Sequence, residues 1–120
     1  MTVTTLYAAP LAALFLVLSF AVIRRRRGLA ISIGDGGDTR FARLIRGHGN
    51  FAEYVPITLL LMAFAEMGGA GAGVIHAAGI SLLIGRLLHA YALGLTERNL
   101  PARNGGMILT FAAMVIGIGA

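Results

Sequence analysis

Four stretches of the chain are apolar enough to read as helices, and the polar positions between them mark three turns. Residues 3–23 carry no charge; as a helix rising about 1.5 Å per residue they cover the ~30 Å hydrocarbon core of a bilayer. Arg24-Arg25-Arg26-Arg27 follows at once, and the glycine-rich stretch 28–38 reads as the first loop, with Asp38 or Thr39 placed to cap the next helix. The second helix is expected over 39–67. Its first half carries Arg40, Arg43, Arg46, His48, Asn50 and Glu53 and its second half is almost wholly apolar, so it is longer than a membrane and polar at one end. Past the uncharged glycine-rich turn around 68–71, a third apolar stretch over 72–94 contains His76, Arg86 and His89. Residues 95–104 supply a polar loop with Glu97, Arg98 and Arg103, and a fourth helix started near Ala102 reaches spanning length over 102–119. The expected architecture is a single all-α domain over 1–120, an integral membrane four-helix bundle.

Composition agrees. Of 120 residues 58% are hydrophobic and 12% charged, against about 45–50% and about 25% in soluble domains. Ten basic and five acidic residues cannot coat a water-soluble domain of this size, so lipid is the solvent for much of the surface. There is no cysteine, which excludes disulfides, thiolate metal sites and a cysteine nucleophile; any thiol chemistry must arrive with a substrate. The formal charge of +5, carried entirely by arginines on the basic side, would point to nucleic acid in a soluble protein. In a membrane protein it marks topology and anionic ligands instead, and no nucleic-acid partner is expected.

Arginine placement orients the chain. Lys and Arg concentrate on the cytoplasmic side; Arg24 to Arg27 precede the second helix, Arg98 and Arg103 precede the fourth, and the 68–71 turn has none. Loops 24–38 and 95–104 are therefore expected in the cytoplasm and both termini on the opposite side, in an inner-membrane setting. A secretory leader would carry its positive charge ahead of the apolar run rather than after it, so the first helix is expected to be retained. The Arg24 to Arg27 block reads as a positive-inside anchor that also meets anionic lipid head groups, with one of the four alternatively reaching a neighbouring subunit's site.

Two constellations carry chemistry. On the second helix Arg46, Asn50, Glu53 and Tyr54 share one face over two turns. Arg and Glu near membrane depth cost about 2.5–3.5 kcal/mol each unless paired or facing a wet cavity. A functional pocket would use Arg for carboxylates, Glu for an ammonium, and Asn and Tyr for peptide groups; a purely structural arrangement would pair Arg46 with Glu53 and use Asn50 as an interhelical hydrogen bond. On the third helix Arg86 and His89 stand one above the other, with Arg86 alternatively paired to Glu53 or Glu66 inside the bundle. His76 reads as interfacial or structural. Pro101-Ala102-Arg103 suits a helix start, with Arg103 or Arg98 directed back at a pocket.

The signature Arg-x-x-x-Asn-x-x-Glu-Tyr-x-Pro from Arg46 to Pro56, together with Gly-Arg-x-x-His from Gly85 to His89, resembles the MAPEG family, the membrane-associated proteins in eicosanoid and glutathione metabolism. The resemblance implies a homotrimer of four-helix subunits with glutathione as co-substrate, held between adjacent subunits near the cytoplasmic side. It assigns Arg46, Asn50, Glu53, Tyr54, Arg86 and His89 to the tripeptide and Arg103 to the thiolate. The implied activity is a glutathione-dependent transferase or peroxidase acting on lipophilic small molecules that arrive through the bilayer. A thiol of unperturbed pKa about 8.5 is mostly protonated at neutral pH, and a guanidinium beside it favours the nucleophilic thiolate. The alternative is a non-catalytic membrane protein on the same scaffold, binding lipid or a small anionic metabolite. A proton-coupled exporter of similar size needs a membrane-embedded carboxylate, and the first helix has no acid.

Overall fold

A computed structural model describes residues 2–95 and 99–120. Four helices follow in order: α1 (Thr2–Leu29), α2 (Thr39–Met67), α3 (Ala72–Gly94) and α4 (Leu100–Gly119). The middle pair has the expected bounds because its stop and start signals are local. The Asp38 carboxylate accepts the Phe41 N–H at 2.7 Å and opens α2, and the glycines after Met67 close it.

The outer pair departs from expectation. Instead of ending at 23, α1 continues through the four arginines to Leu29, since arginine is a strong helix former and no breaker lies between Ile23 and Gly28. Arg24 to Arg27 thus project from a helical extension and not from a loop. The chain turns only at Ala30, which adopts a left-handed φ of 56°. Likewise α4 begins at Leu100 rather than 102, with Pro101 in its first turn and Asn99 Oδ1 accepting the Ala102 N–H at 3.1 Å. Arg103 is therefore helical and not part of the loop. Arg98 lies outside the described residues.

Among the described helices α1, α3 and α4 are long and apolar enough to cross a membrane. The charged first half of α2 keeps it from that class by composition, although its 29 residues are ample in length.

The core is apolar, with Leu11, Leu18, Phe51, Val55, Met62, Ile75 and Leu82 at its centre. α1 packs on α2 and α3, α4 packs on the same two, and α1 and α4 do not meet among the described residues. The α3–α4 contact is the most intimate. A Cβ on Gly85 would lie 2.8 Å from Gly106 O, and one on Gly106 would lie 2.6 Å from Gly85 O; the two backbones cross where only glycine fits, the small-residue packing used between membrane helices.

Each end of the bundle has its own polar fastening. At one end Arg43 Nη2 donates to Ala92 O at 2.7 Å, gathering the arginine-bearing ends of α1 and α2 beside the α3–α4 connection. At the other, the Glu66 carboxylate accepts the Val3 and Thr4 N–H groups at 2.8 and 2.9 Å, so an acid from α2 caps α1 where the helix dipole favours an anion. Tyr7 Oη and His76 Nδ1 are hydrogen-bonded at 2.7 Å nearby, which gives His76 its structural role. Both chain ends thus lie away from the arginine-rich end.

Candidate functional site

α2, α3 and α4 converge about a third of the way in from the arginine-rich end. α3 sets the site because its close crossing with α4 at Gly85 and Gly106 leaves no room to rotate, and this fixes Arg86 inside the bundle. Arg86 is 1% exposed and is the largest fully buried side chain; His89, one turn further on, is also 1% exposed.

The guanidinium is held by neutral groups. Arg86 Nη1 donates to Asn50 Oδ1 at 2.7 Å and reaches Thr110 Oγ1 at 3.5 Å and Met107 Sδ at 3.9 Å. Nη2 lies 3.4 Å from His89 Nδ1, which accepts when the ring proton is on Nε2. The cation stands 5.5 Å over the Phe51 ring. Nε is buried without a hydrogen-bond partner.

No carboxylate among the described residues meets this cation. Glu53 is paired with Arg46 in an exposed ion pair, and Glu66 caps α1 at the far end of the bundle. The expected alternative, in which Arg86 pairs with Glu53 or Glu66, is therefore not found. The other structural alternative is present in both parts, since Arg46 pairs with Glu53 and Asn50 bonds across helices. What it leaves unexplained is a buried positive charge with no counterion among the described residues.

The α2 face divides in two. Asn50 and Tyr54, one turn apart and half-buried, turn toward α3 and α4, with the Tyr54 ring edge-on to Phe111 at 5.5 Å. Arg46 and Glu53, both about half exposed, stand at the outside. Arg103 is half-buried in the first turn of α4, and its charge, with those of Arg86 and Arg46, acts on the His89 ring. Arg46 and Arg103 thus lie near enough to add their charge to that of Arg86 on this part of the bundle. Leu93, which continues the Arg86–His89 face, is buried against Gly47 and offers no polar group.

Phe51, Met107 and Thr110 were not singled out by their sequence context. Thr110, a lone hydroxyl in the apolar run of α4, was the available signal; its Oγ1 also donates to Gly106 O at 2.8 Å. Ser19, equally isolated in α1, meets His48 Nε2 at 2.9 Å while donating to Phe15 O. His48 stacks on Phe15 at 4.9 Å, so this pair binds α1 to α2 and stands apart from the arginine cluster.

The family model described as MAPEG family matches residues 4–120. The chain is 42% identical over 114 residues to inner membrane protein YecN of Escherichia coli strain K12, covering 95% of this chain and 86% of that protein. The YecN of Escherichia coli O6:H1 is similar to the same extent. No solved structure matches.

Proposed function

Because the chain belongs to the MAPEG family of membrane proteins, we propose that it is a glutathione-dependent transferase or peroxidase acting on lipophilic electrophiles. The observation that carries this reading is the buried Arg86 guanidinium, which meets Asn50, Thr110 and His89 with no acid opposite it among the described residues. A cation removed from water costs several kcal/mol unless compensated, and an anionic ligand supplies the missing partner.

The residues suit a zwitterionic tripeptide. Arg46 and Glu53, already exposed and paired, exchange each other for a ligand carboxylate and ammonium at small cost, because surface pairs contribute only about 0–1 kcal/mol. Asn50, whose Oδ1 is engaged by Arg86, keeps its amide N–H groups to donate to a peptide carbonyl, and the Tyr54 hydroxyl stands beside it. Arg103, at the start of α4, favours the ionised thiol. The thiolate supplies the nucleophile that this cysteine-free chain lacks. His89, one turn from Arg86 and with Nδ1 3.4 Å from its Nη2, completes the polar lining on α3.

The same reading places the subunits in a homotrimer in a bacterial inner membrane, with the arginine-rich end cytoplasmic and both termini opposite. Support comes from the positive-inside rule, the similarity to an inner membrane protein of Escherichia coli, and the apolar exposed face of α1 with Leu16, Val17 and Phe20.

The test is turnover of glutathione with a chlorinated aromatic acceptor or a lipid hydroperoxide by detergent-purified protein. Arg103→Ala is expected to lower the rate on the order of a hundredfold by removing a charge aimed at the reacting atom. A rate indifferent to both Arg103→Ala and Arg46→Ala sinks the proposal.

A further inference from the structure

A second electropositive feature lies outside the Arg86 cluster. At the arginine-rich end α1, α2 and α3 enclose a recess of about 400 Å³ lined by Arg24, Arg25, Gly28, Arg40, Leu44 and Gly94. Arg25 lies 3.8 Å from Asp38, whereas Arg24 and Arg40 have no ion pair among the described residues. Directly below it, an apolar groove of about 390 Å³ runs along α1 and α3 between Leu14, Val17, Leu87, Ala90 and Tyr91. Ala21, Leu44 and Gly94 line both spaces, so the two adjoin.

We propose that this composite recess is a binding site for one anionic phospholipid of the surrounding bilayer, its phosphate between Arg24 and Arg40 and an acyl chain in the α1–α3 groove. Three observations select this occupant. The groove is almost wholly apolar and runs along helices of membrane-spanning character, which suits hydrocarbon. Its one polar end holds cations only, where the apolar run of α1 gives way to arginine, the level at which head groups lie. The exposed Val17 and Leu87 on its walls leave it open sideways to lipid. Arg24 and Arg40 approach from different helices, so a bound phosphate ties the α1 extension to the start of α2. The site shares no residue with the Arg86 cluster and is independent of the proposed thiol chemistry.

The experiment is native mass spectrometry of the full chain released from nanodiscs containing equal phosphatidylglycerol and phosphatidylcholine. Wild-type protein is expected to retain phosphatidylglycerol selectively. The Arg24→Gln/Arg40→Gln variant is expected to lose that selectivity by roughly tenfold or more, whereas Arg24→Lys/Arg40→Lys, which keeps the charge, retains most of it. Gly94→Leu provides a second approach. A Cβ there meets only Leu44 Cδ1 at 4.0 Å, so the added side chain starts at the junction without a clash, and retention is expected to fall while circular dichroism shows helicity unchanged. Equal retention of the two lipids by wild type overturns the proposal. So does retention of added oleate in preference to phosphatidylglycerol, or a Gly94→Leu variant that keeps its lipid but dissociates into single subunits, which would place a second copy of the chain in the groove.

Discussion

Replacing Arg86 with methionine separates a ligand-binding cation from a structural one. The hydrogen bond from the charged donor to Asn50 at 2.7 Å contributes about 1.5–3 kcal/mol, and the position over Phe51 at 5.5 Å adds about 0.5–2 kcal/mol. The contacts to Thr110 and His89, at 3.5 and 3.4 Å, are at the limit of hydrogen bonding and add little. Against these stands a desolvation cost of several kcal/mol for a cation with no carboxylate partner. The two sides nearly cancel, so Arg86→Met changes the stability of the ligand-free protein by no more than about 1 kcal/mol, where breaking a buried ion pair costs about 3–5 kcal/mol. Glutathione at a hundred times its Kd stabilises a protein that binds it by about 2.7 kcal/mol, several degrees in Tm for a chain of this size. Thermal unfolding in detergent, followed by circular dichroism with and without glutathione, measures both quantities. Wild type is expected to gain those degrees and Arg86→Met to gain none from an almost unchanged baseline. A fall of more than about 3 kcal/mol in the ligand-free variant, with wild type indifferent to glutathione, refutes the reasoning and makes Arg86 a structural cation.

Other substitutions test the scaffold. Gly106→Ala places a methyl 2.6 Å from Gly85 O and 2.9 Å from His89 Cβ; this overpacking should cost about 1–3 kcal/mol, read as a lowered Tm in the same assay. Glu66→Ala removes the acceptor of the Val3 and Thr4 N–H groups and should cost about 1–2 kcal/mol. Hydrogen exchange should then accelerate in the first turn of α1 while the amides around Arg86 stay protected; an unchanged first turn would show that the cap is dispensable.

The fold was legible where the decisive signals are local. Asp38 and the glycines around 68–71 act within one turn of the chain, and both bounds of α2 and the start of α3 follow from them. The end of α1 is not legible in this way, because Arg24 to Arg27 mark a membrane boundary by their charge while their helix propensity governs the backbone. Arg103 moved from loop to helix for a similar reason, since Asn99 caps the first turn that Pro101 opens. Within the site, helical spacing put Arg46, Asn50, Glu53 and Tyr54 on one side of α2, but spacing does not say how far each side chain reaches. The long Arg46 and Glu53 turn outward to each other, while the shorter Asn50 meets Arg86. That meeting depends on the rotation of α3 against α4, set by a Gly85–Gly106 contact between distant parts of the chain, and no period along one helix encodes it. Glu66 illustrates the same limit: its charge suggested a partner for Arg86, and only the antiparallel packing places it at the opposite end of the bundle.

The central claim, that the arginine cluster binds glutathione and ionises its thiol, is tested most directly by the thiolate ultraviolet absorbance of glutathione bound to the purified protein as pH is varied. A guanidinium beside the sulfur lowers the thiol pKa, so the bound thiolate should be present at pH 7, where the free thiol with pKa about 8.5 is mostly protonated. It should disappear only on further acidification, and Arg103→Ala should shift the transition back toward the free value. A wild-type protein whose bound glutathione titrates like the free tripeptide, or that binds none, contradicts the account.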